Sequence, residues 1–472
     1  MTLDEILAAR PSPGQPRTYD FPRFERTELA SGLRVLAVSL PGRPLVSASL
    51  VVRRGAGDEP ADVAGATILA ARAMTEGTRR YPGVELIEAA ERLGATLHVD
   101  ASWDAFAASV DVAASRLGAA LELLAEVAQR PTFSDPDVAR LRDERLNDLL
   151  QVRADPRRRV EQAFASTIYT ADSPYARPAA GSEETVPRLT PDVLRSVHAS
   201  VLDPGRAAVV IGGDLTGLDV PTMVKAALGS FGEGGGDHVA STTPAPPTVP
   251  AVDRPIVRLY HHPGSVQTEL RIGHVGLPRR VSDFHAVQVM GAILGGLFNS
   301  RLQMKLREEK GYTYGVGAGF DMRRGAGPFS VRTAVQTAAT VPAIADSLAE
   351  LRRIRETEVA VAELAAARDY LVGVFPLRFE TPGAVVAALA GLFVNELPDD
   401  ELARYRREVE AVTIEGIQRA AQDHIHPDRL AIVAVGDAEA VEAELRSAGF
   451  GELEVIREEV PPEAGEAGEG SE

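Results

Sequence analysis

Three features of this sequence predict an α+β chain of two homologous domains, each a mainly antiparallel sheet with helices packed on one side. At 472 residues, with 45% hydrophobic and 25% charged side chains, the chain exceeds one ordinary domain and has ample material for cores. Residues 232–255, GEGGGDHVASTTPAPPTVPAVDRP, are Gly-rich and then Ser/Thr/Pro-rich, a composition that builds a spacer rather than a core. On both sides of that spacer the same order of strand-like and helix-like segments occurs, as an internal duplication would leave.

In the first half, residues 34–40 and 46–52 are rich in β-branched and apolar residues and read as strands. Helices are expected over 63–75 and 84–93, then strands at 96–102 and 105–112. Helices at 119–128 and 135–153 come next, the latter with Val and Leu spaced three and four apart. A strand at 207–212 and a helix at 219–228 close the half. The second half repeats the order: strands 256–261 and 269–275, helices 284–293 and 300–309, strands 312–321 and 328–335. Helices at 342–355, 361–375, 383–396 and 414–423 follow, then a strand at 429–435 and a helix at 438–448. The domain limits are thus 25–231 and 256–451, preceded by an extension over 1–24. Residues 452–472 carry eight Glu against one Arg and read as an acidic, disordered tail.

A net charge of −17 argues against nucleic acid and against anionic membranes as partners, because both need a basic footprint. The chain has no cysteine, which excludes disulfides, thiolate metal sites and a cysteine nucleophile. No signal peptide is visible in residues 1–26, and no run approaches the roughly 18 apolar residues of a membrane span. A cytoplasmic location is the expectation.

The search for chemistry ends without a complete constellation. Neither HExxH nor HxxEH occurs, and no G-x-S-x-G elbow or P-loop is present. His261 and His262 are adjacent on a strand and so point to opposite faces. Gly315-Val316-Gly317-Ala318-Gly319 lies in a strand-like stretch, the wrong context for a dinucleotide loop. Asp423-His424-Ile425-His426-Pro427-Asp428 puts Asp423 and His426 three apart, but a helix C-terminus with a Pro stop accounts for it. What remains is residues 300–314: an amphipathic helix through Leu302 and Leu306, a stop at Gly311, and Tyr312 and Tyr314 entering a strand on one face.

That stretch carries a resemblance. Leu294-Gly295-Gly296, Asn299-Ser300-Arg301-Leu302 and Leu306-Arg307-Glu308-Glu309-Lys310-Gly311-Tyr312-Thr313-Tyr314 resemble the C-terminal half of insulinase-like (pitrilysin-clan) zinc peptidases. In the first half, Ala30-Ser31-Gly32-Leu33-Arg34-Val35 and Arg54-Gly55-Ala56-Gly57-Asp58-Glu59 are similar to that family's early strand and to the turn before its metal helix. The resemblance covers about residues 25–450. It implies an HxxEH helix bracketed by Gly65 and Gly77-Thr78, yet Ile68, Ala71 and Arg72 stand at the first His, the Glu and the second His positions, in that order. It also implies a third ligand, a Glu seven residues beyond an acidic one. Glu144 matches the acidic residue, but the ligand position is Gln151. Ile and Ala have no lone pair to give, and Arg does not deprotonate. The family's Asn-Ala-x-Thr reads His98-Val99-Asp100-Ala101.

The resemblance implies, in addition, an Arg and a Tyr seven residues later that reach the active site of the opposing half, and these map onto Arg307 and Tyr314. A chain that keeps this pair and lacks the metal positions is expected to be the substrate-binding, non-catalytic subunit of a heterodimer. It would bind no metal itself; an HxxEH-bearing partner would supply zinc, and the substrate would be a peptide. A long Gly-rich loop, as in the non-catalytic subunit of mitochondrial processing peptidases, is not present around residues 294–301. Two alternatives stay open: an inert peptidase-like scaffold, and a hydrolase working through the Asp423–Asp428 cluster.

Overall fold

In the computed structural model, residues 17–232, 246 and 248–457 are described. The first half runs β1 (Glu25–Glu28), β2 (Arg34–Ser39), β3 (Leu45–Val52), α1 (Ala66–Ala73), α2 (Val84–Leu93), β4 (Thr96–Ala101) and β5 (Phe106–Ala113). It continues through α3 (Leu117–Gln129), α4 (Asp135–Ala154), α5 (Pro156–Ile168), α6 (Pro191–Val201), β6 (Ala207–Gly213) and α7 (Val220–Leu228). The second half comprises β7 (Ile256–His261), β8 (Gln267–Val275), α8 (Phe284–Gly291), β9 (Val316–Phe320), β10 (Pro328–Gln336), α9 (Thr340–Glu356), α10 (Val361–Val374) and α11 (Pro382–Val394). It ends with α12 (Glu401–Ala411), α13 (Ile414–His424), β11 (Ala431–Gly436), α14 (Ala438–Ala448) and β12 (Glu452–Ile456).

The sheets have the orders β1-β2-β6-β3-β5-β4 and β12-β7-β11-β8-β10-β9. Five of the six strands correspond one to one, β2-β6-β3-β5-β4 with β7-β11-β8-β10-β9, which is the expected duplication in three dimensions. In the first sheet β2 and β6 alone are parallel. In the second, β7 is parallel to both β11 and β12.

Each sheet carries its own half's helices on one face. The opposite face is covered by a single helix lent by the other half. Val385, Val386, Leu389 and Phe393 of α11 bury against Leu36, Val38, Val51, Ala208 and Val210 of the first sheet. Reciprocally, Val160, Ala163, Phe164 and Ile168 of α5 bury against Ala431, Val433 and Val435 of the second. Central strands covered on both faces read as continuous apolar runs, which is why β3 is buried from Val46 to Val52. Ion pairs pin the exchanged helices: Glu161 of α5 with Arg271 of β8 at 2.8 Å, and Glu396, just past α11, with Arg53.

Several expectations are corrected. The helix expected over 63–75 starts at Ala66, because Gly65 at φ +98° breaks the approach. The strand expected from 312 begins at Val316, since Thr313 and Gly315 form a local turn through the Thr313 hydroxyl. Residues 452–456, read as the start of a disordered tail, form β12, whose Leu453 and Val455 pack on the core as alternate residues of a strand. Residues 458–472 lie outside the described residues.

The extension is not wholly separate. Phe21 is 7% exposed and packs edge-on against Phe379, with Tyr19 stacked on the same ring. Of the spacer, Val252 is buried against α5, and Val249 accepts a hydrogen bond from Thr170 N–H at 3.0 Å. Residues 233–245 and 247 lie outside the described residues. Helix α5, which the periodicity reading does not contain, is started by Asp155-Pro156: Pro occupies the first turn and the Asp155 carboxylate accepts the N–H groups of Arg157 and Arg158. Among the described residues no single helix is long and apolar enough to cross a membrane.

Candidate functional site

Helix α1 is seated by the turn that precedes it. Ala56 and Gly57 donate backbone N–H groups to the carbonyls of Ser102 and Trp103 at 2.9 and 2.8 Å. A Cβ on Gly55 would stand 2.4 Å from the Ser102 oxygen, so this close approach needs glycine. The Glu59 carboxylate then accepts the N–H groups of Gly65 and Thr67, satisfying orphan donors at the helix start.

On that helix Ala71 is 1% exposed, Ile68 is half-buried and Arg72 turns outward. The Arg72 guanidinium donates to Glu144 at 3.1 Å, and Arg140 joins Glu144 to Glu76 at 2.6 and 2.5 Å. The structure therefore brings Arg72 and Glu144 together, as a cation and its counter-ion. Gln151 stands exposed seven residues along α4, about two helical turns away. These residues do not fit zinc. The two aliphatic side chains offer no electron pair, and a guanidinium already occupies the charge-compensating place beside Glu144. Among the described residues no group of three or more His, Asp or Glu side chains could hold a metal ion.

The cluster from Asp423 to Asp428 is structural. His424 pairs with Asp283 at 2.8 Å. His274 accepts the His426 backbone N–H on Nε2 at 3.1 Å, so its proton sits on Nδ1, which donates to the Val275 carbonyl at 2.8 Å. The two rings lie 5.0 Å apart. Burial pushes both imidazoles down to about 4, so both are neutral near pH 7.

Residues 292–316 are built differently from the rest of the described residues. Ala292–Gly296 and Gln303–Glu309 are wide π-type turns, with Leu297 N–H reaching Ala292 and Lys310 N–H reaching Lys305. A Cβ on Gly295 would meet Ala318 N at 2.4 Å, so the glycine lets the first wide turn lie directly on β9. Arg301, the arginine of the Ser-Arg-Leu motif, is an anchor: its guanidinium grips Glu363 with two bonds of 2.7 and 2.9 Å. Sequence reasoning quoted that residue without assigning it this part.

Arg307 is about a third exposed and lies 4.8 Å over the ring of Phe298, with Glu308 at 3.5 Å. Gly311, at φ +66°, ends the helix, and Tyr314 follows at 92% exposure. No described residue bonds its hydroxyl. Phe298, beneath the Arg307 guanidinium, and Met304 are also large uncovered side chains, 68% and 47% exposed. Tyr314 also stands at the rim of a cavity of about 290 Å³, which Arg307 does not line.

The comparisons with known proteins agree with this architecture. Residues 34–181 match the family model described as insulinase (peptidase family M16), and residues 188–371 match that of the peptidase M16 inactive domain. The chain belongs to the insulinase-like M16 peptidase family. An uncharacterized zinc protease of Mycobacterium tuberculosis is 27% identical over 431 residues, spanning 90% of this chain and 96% of its own. A protein of Helicobacter pylori named as a non-peptidase homolog is 24% identical over 361 residues, 75% of this chain and 80% of its own. The fold is also that of a peptidase M16 inactive domain crystallised from Pseudomonas fluorescens, with a TM-score of 0.81, 24% identity, and coverage of 88% of this chain and 98% of that one.

Proposed function

We propose that this chain is the non-catalytic, substrate-binding subunit of a two-chain zinc peptidase, and that it lends Arg307 and Tyr314 to the active site of an HxxEH-bearing partner. The observation that carries the reading is a contrast within one chain. The positions for metal and base hold Ile68, Ala71, Arg72 and Gln151, while Tyr314 is 92% exposed and Arg307 is about a third exposed. An unbonded phenol and a guanidinium fork standing among uncovered apolar side chains suit a surface that another chain closes over.

In that setting Arg307 holds peptide carbonyls through its planar donors, and Tyr314 donates to the oxyanion that develops as the peptide bond is attacked. The relatives' names differ, zinc protease for some and non-peptidase homolog for another. The ligand positions favour the second description for this chain. The test is hydrolysis of a quenched peptide library by this chain alone, by an HxxEH-bearing homologue from the same genome, and by the mixture. Activity is expected in the mixture, and Arg307→Ala/Tyr314→Phe should lower it about 10²–10³-fold, the usual effect of removing an oxyanion donor. Equal activity of the homologue with and without this chain would instead leave an inert scaffold.

A further inference from the structure

Below Tyr314 the two halves enclose a trough whose charge opposes that of the protein. Two cavities, of about 290 and 410 Å³, meet at Arg332, which lines both. Seven arginines and three carboxylates line them, in a chain whose net charge is −17. Most of these arginines are already matched. Arg145 and Arg158 share Asp148, Arg271 bonds Glu161 and Glu269, and Arg323 bonds Asp321. Arg157 and Arg332 are exposed and bond no carboxylate among the described residues.

Arg332 is also placed against the usual preferences of a sheet. Its cross-strand partner on β8 is Arg271, a like charge directly opposite, which costs stability unless something offsets it. Glu161 and Glu269 form their ion pairs with Arg271. On its other side Arg332 faces Gly317 of β9, and Gly319 lies two residues on, so the same face of this edge strand is bare backbone. The Gly315–Gly319 run, which serves no dinucleotide, thus leaves a flat, open shelf beside an uncompensated guanidinium. The second cavity adds an apolar wall from Trp103, Leu149 and Phe164.

We infer that this trough binds an acidic segment of a polypeptide, with Arg157 and Arg332 taking its carboxylates and the β9 shelf leaving room for its backbone. The inference rests on reading the chain as a peptide-binding subunit and names the peptide class: acidic side chains interleaved with apolar ones. Charge complementarity selects this occupant, since two free guanidiniums on an otherwise acidic protein attract carboxylates and repel basic peptides.

The experiment is fluorescence anisotropy with the full chain alone, using a labelled octapeptide of alternating Glu and Val against its Gln/Val counterpart. The Glu peptide is expected to bind at least about tenfold more tightly at low salt, with the preference shrinking as salt rises. Arg157→Gln/Arg332→Gln should abolish the preference, while Arg407→Gln, an exposed arginine outside both cavities, should leave it intact; binding by the chain without a partner separates this inference from catalysis in trans. Equal binding of the two peptides overturns it, as does a preference that survives in the double variant. A preference that appears only after removing residues 458–472, which hold six Glu and no basic residue, also overturns it, because the trough would then be that segment's own seat.

Discussion

Phe164→Ala tests whether the exchanged helices weld the two halves into one cooperative unit. Phe164 belongs to the first half by sequence, yet it is 3% exposed and packs on Ala431, Val433 and Val435 of the second sheet. Truncating a buried Phe costs roughly 3–5 kcal/mol. An unfolding entropy of about 2.1 cal/mol/K per residue gives about 1 kcal/mol/K for the 472-residue chain and about 0.4 for a half of roughly 200 residues. If the chain melts as one unit, a loss of about 4 kcal/mol lowers its single Tm by about 4 °C. If the halves melt separately, one transition falls by about 10 °C and the other stays in place. Differential scanning calorimetry distinguishes these outcomes. One transition displaced by a few degrees is expected, both for Phe164→Ala and for Phe393→Ala on the reciprocal helix. A split thermogram with one fixed peak would refute the claim that each sheet depends on the other half's helix.

Two further outcomes follow from the same packing. Arg301→Ala removes one partner of a bidentate pair. Glu363 is about a third exposed and regains water, so the cost should be about 2–3 kcal/mol, below the 3–5 of fully buried pairs, with Arg301→Lys restoring little of it. Denaturant titration measures it, and a loss under 0.5 kcal/mol would make the motif's arginine a surface charge. For pH, His274 and His426 protonate near 6.5 when unfolded but only near 4 when folded, so stability is full above about 6.5 and lost as pH falls toward 4. For His274 alone the loss at pH 5 is about 2 kcal/mol. A denaturation free energy that stays flat from pH 8 to 5 would mean these rings titrate as if in water.

Legibility in the sequence tracks how local the physics is. Strand 256–261 and helices 84–93 and 438–448 are read with their observed limits, because period and caps are set by neighbours in the chain. The identities and offsets of Ile68, Ala71, Arg72, Gln151, Arg307 and Tyr314 are read directly from the sequence, whereas their roles rest on the proposed function. Helix α5 is not legible, since its three consecutive arginines, Arg157 to Arg159, mask the apolar stripe that begins at Val160. Strand β12 is hidden by its glutamates, which an edge strand tolerates because one side faces water.

The sequence by itself determined that there are two α+β halves, and which side chains stand at positions 68, 71, 72, 151, 307 and 314. Tertiary structure alone decided that each half finishes the other's sheet. It also decided that Arg72 meets Glu144, and that Arg332, which bonds no carboxylate among the described residues, lies beside Gly317 of β9. The reason is that burial and charge balance are set by residues hundreds of positions apart, as Arg53 and Glu396 are, and no local period encodes which of them will meet.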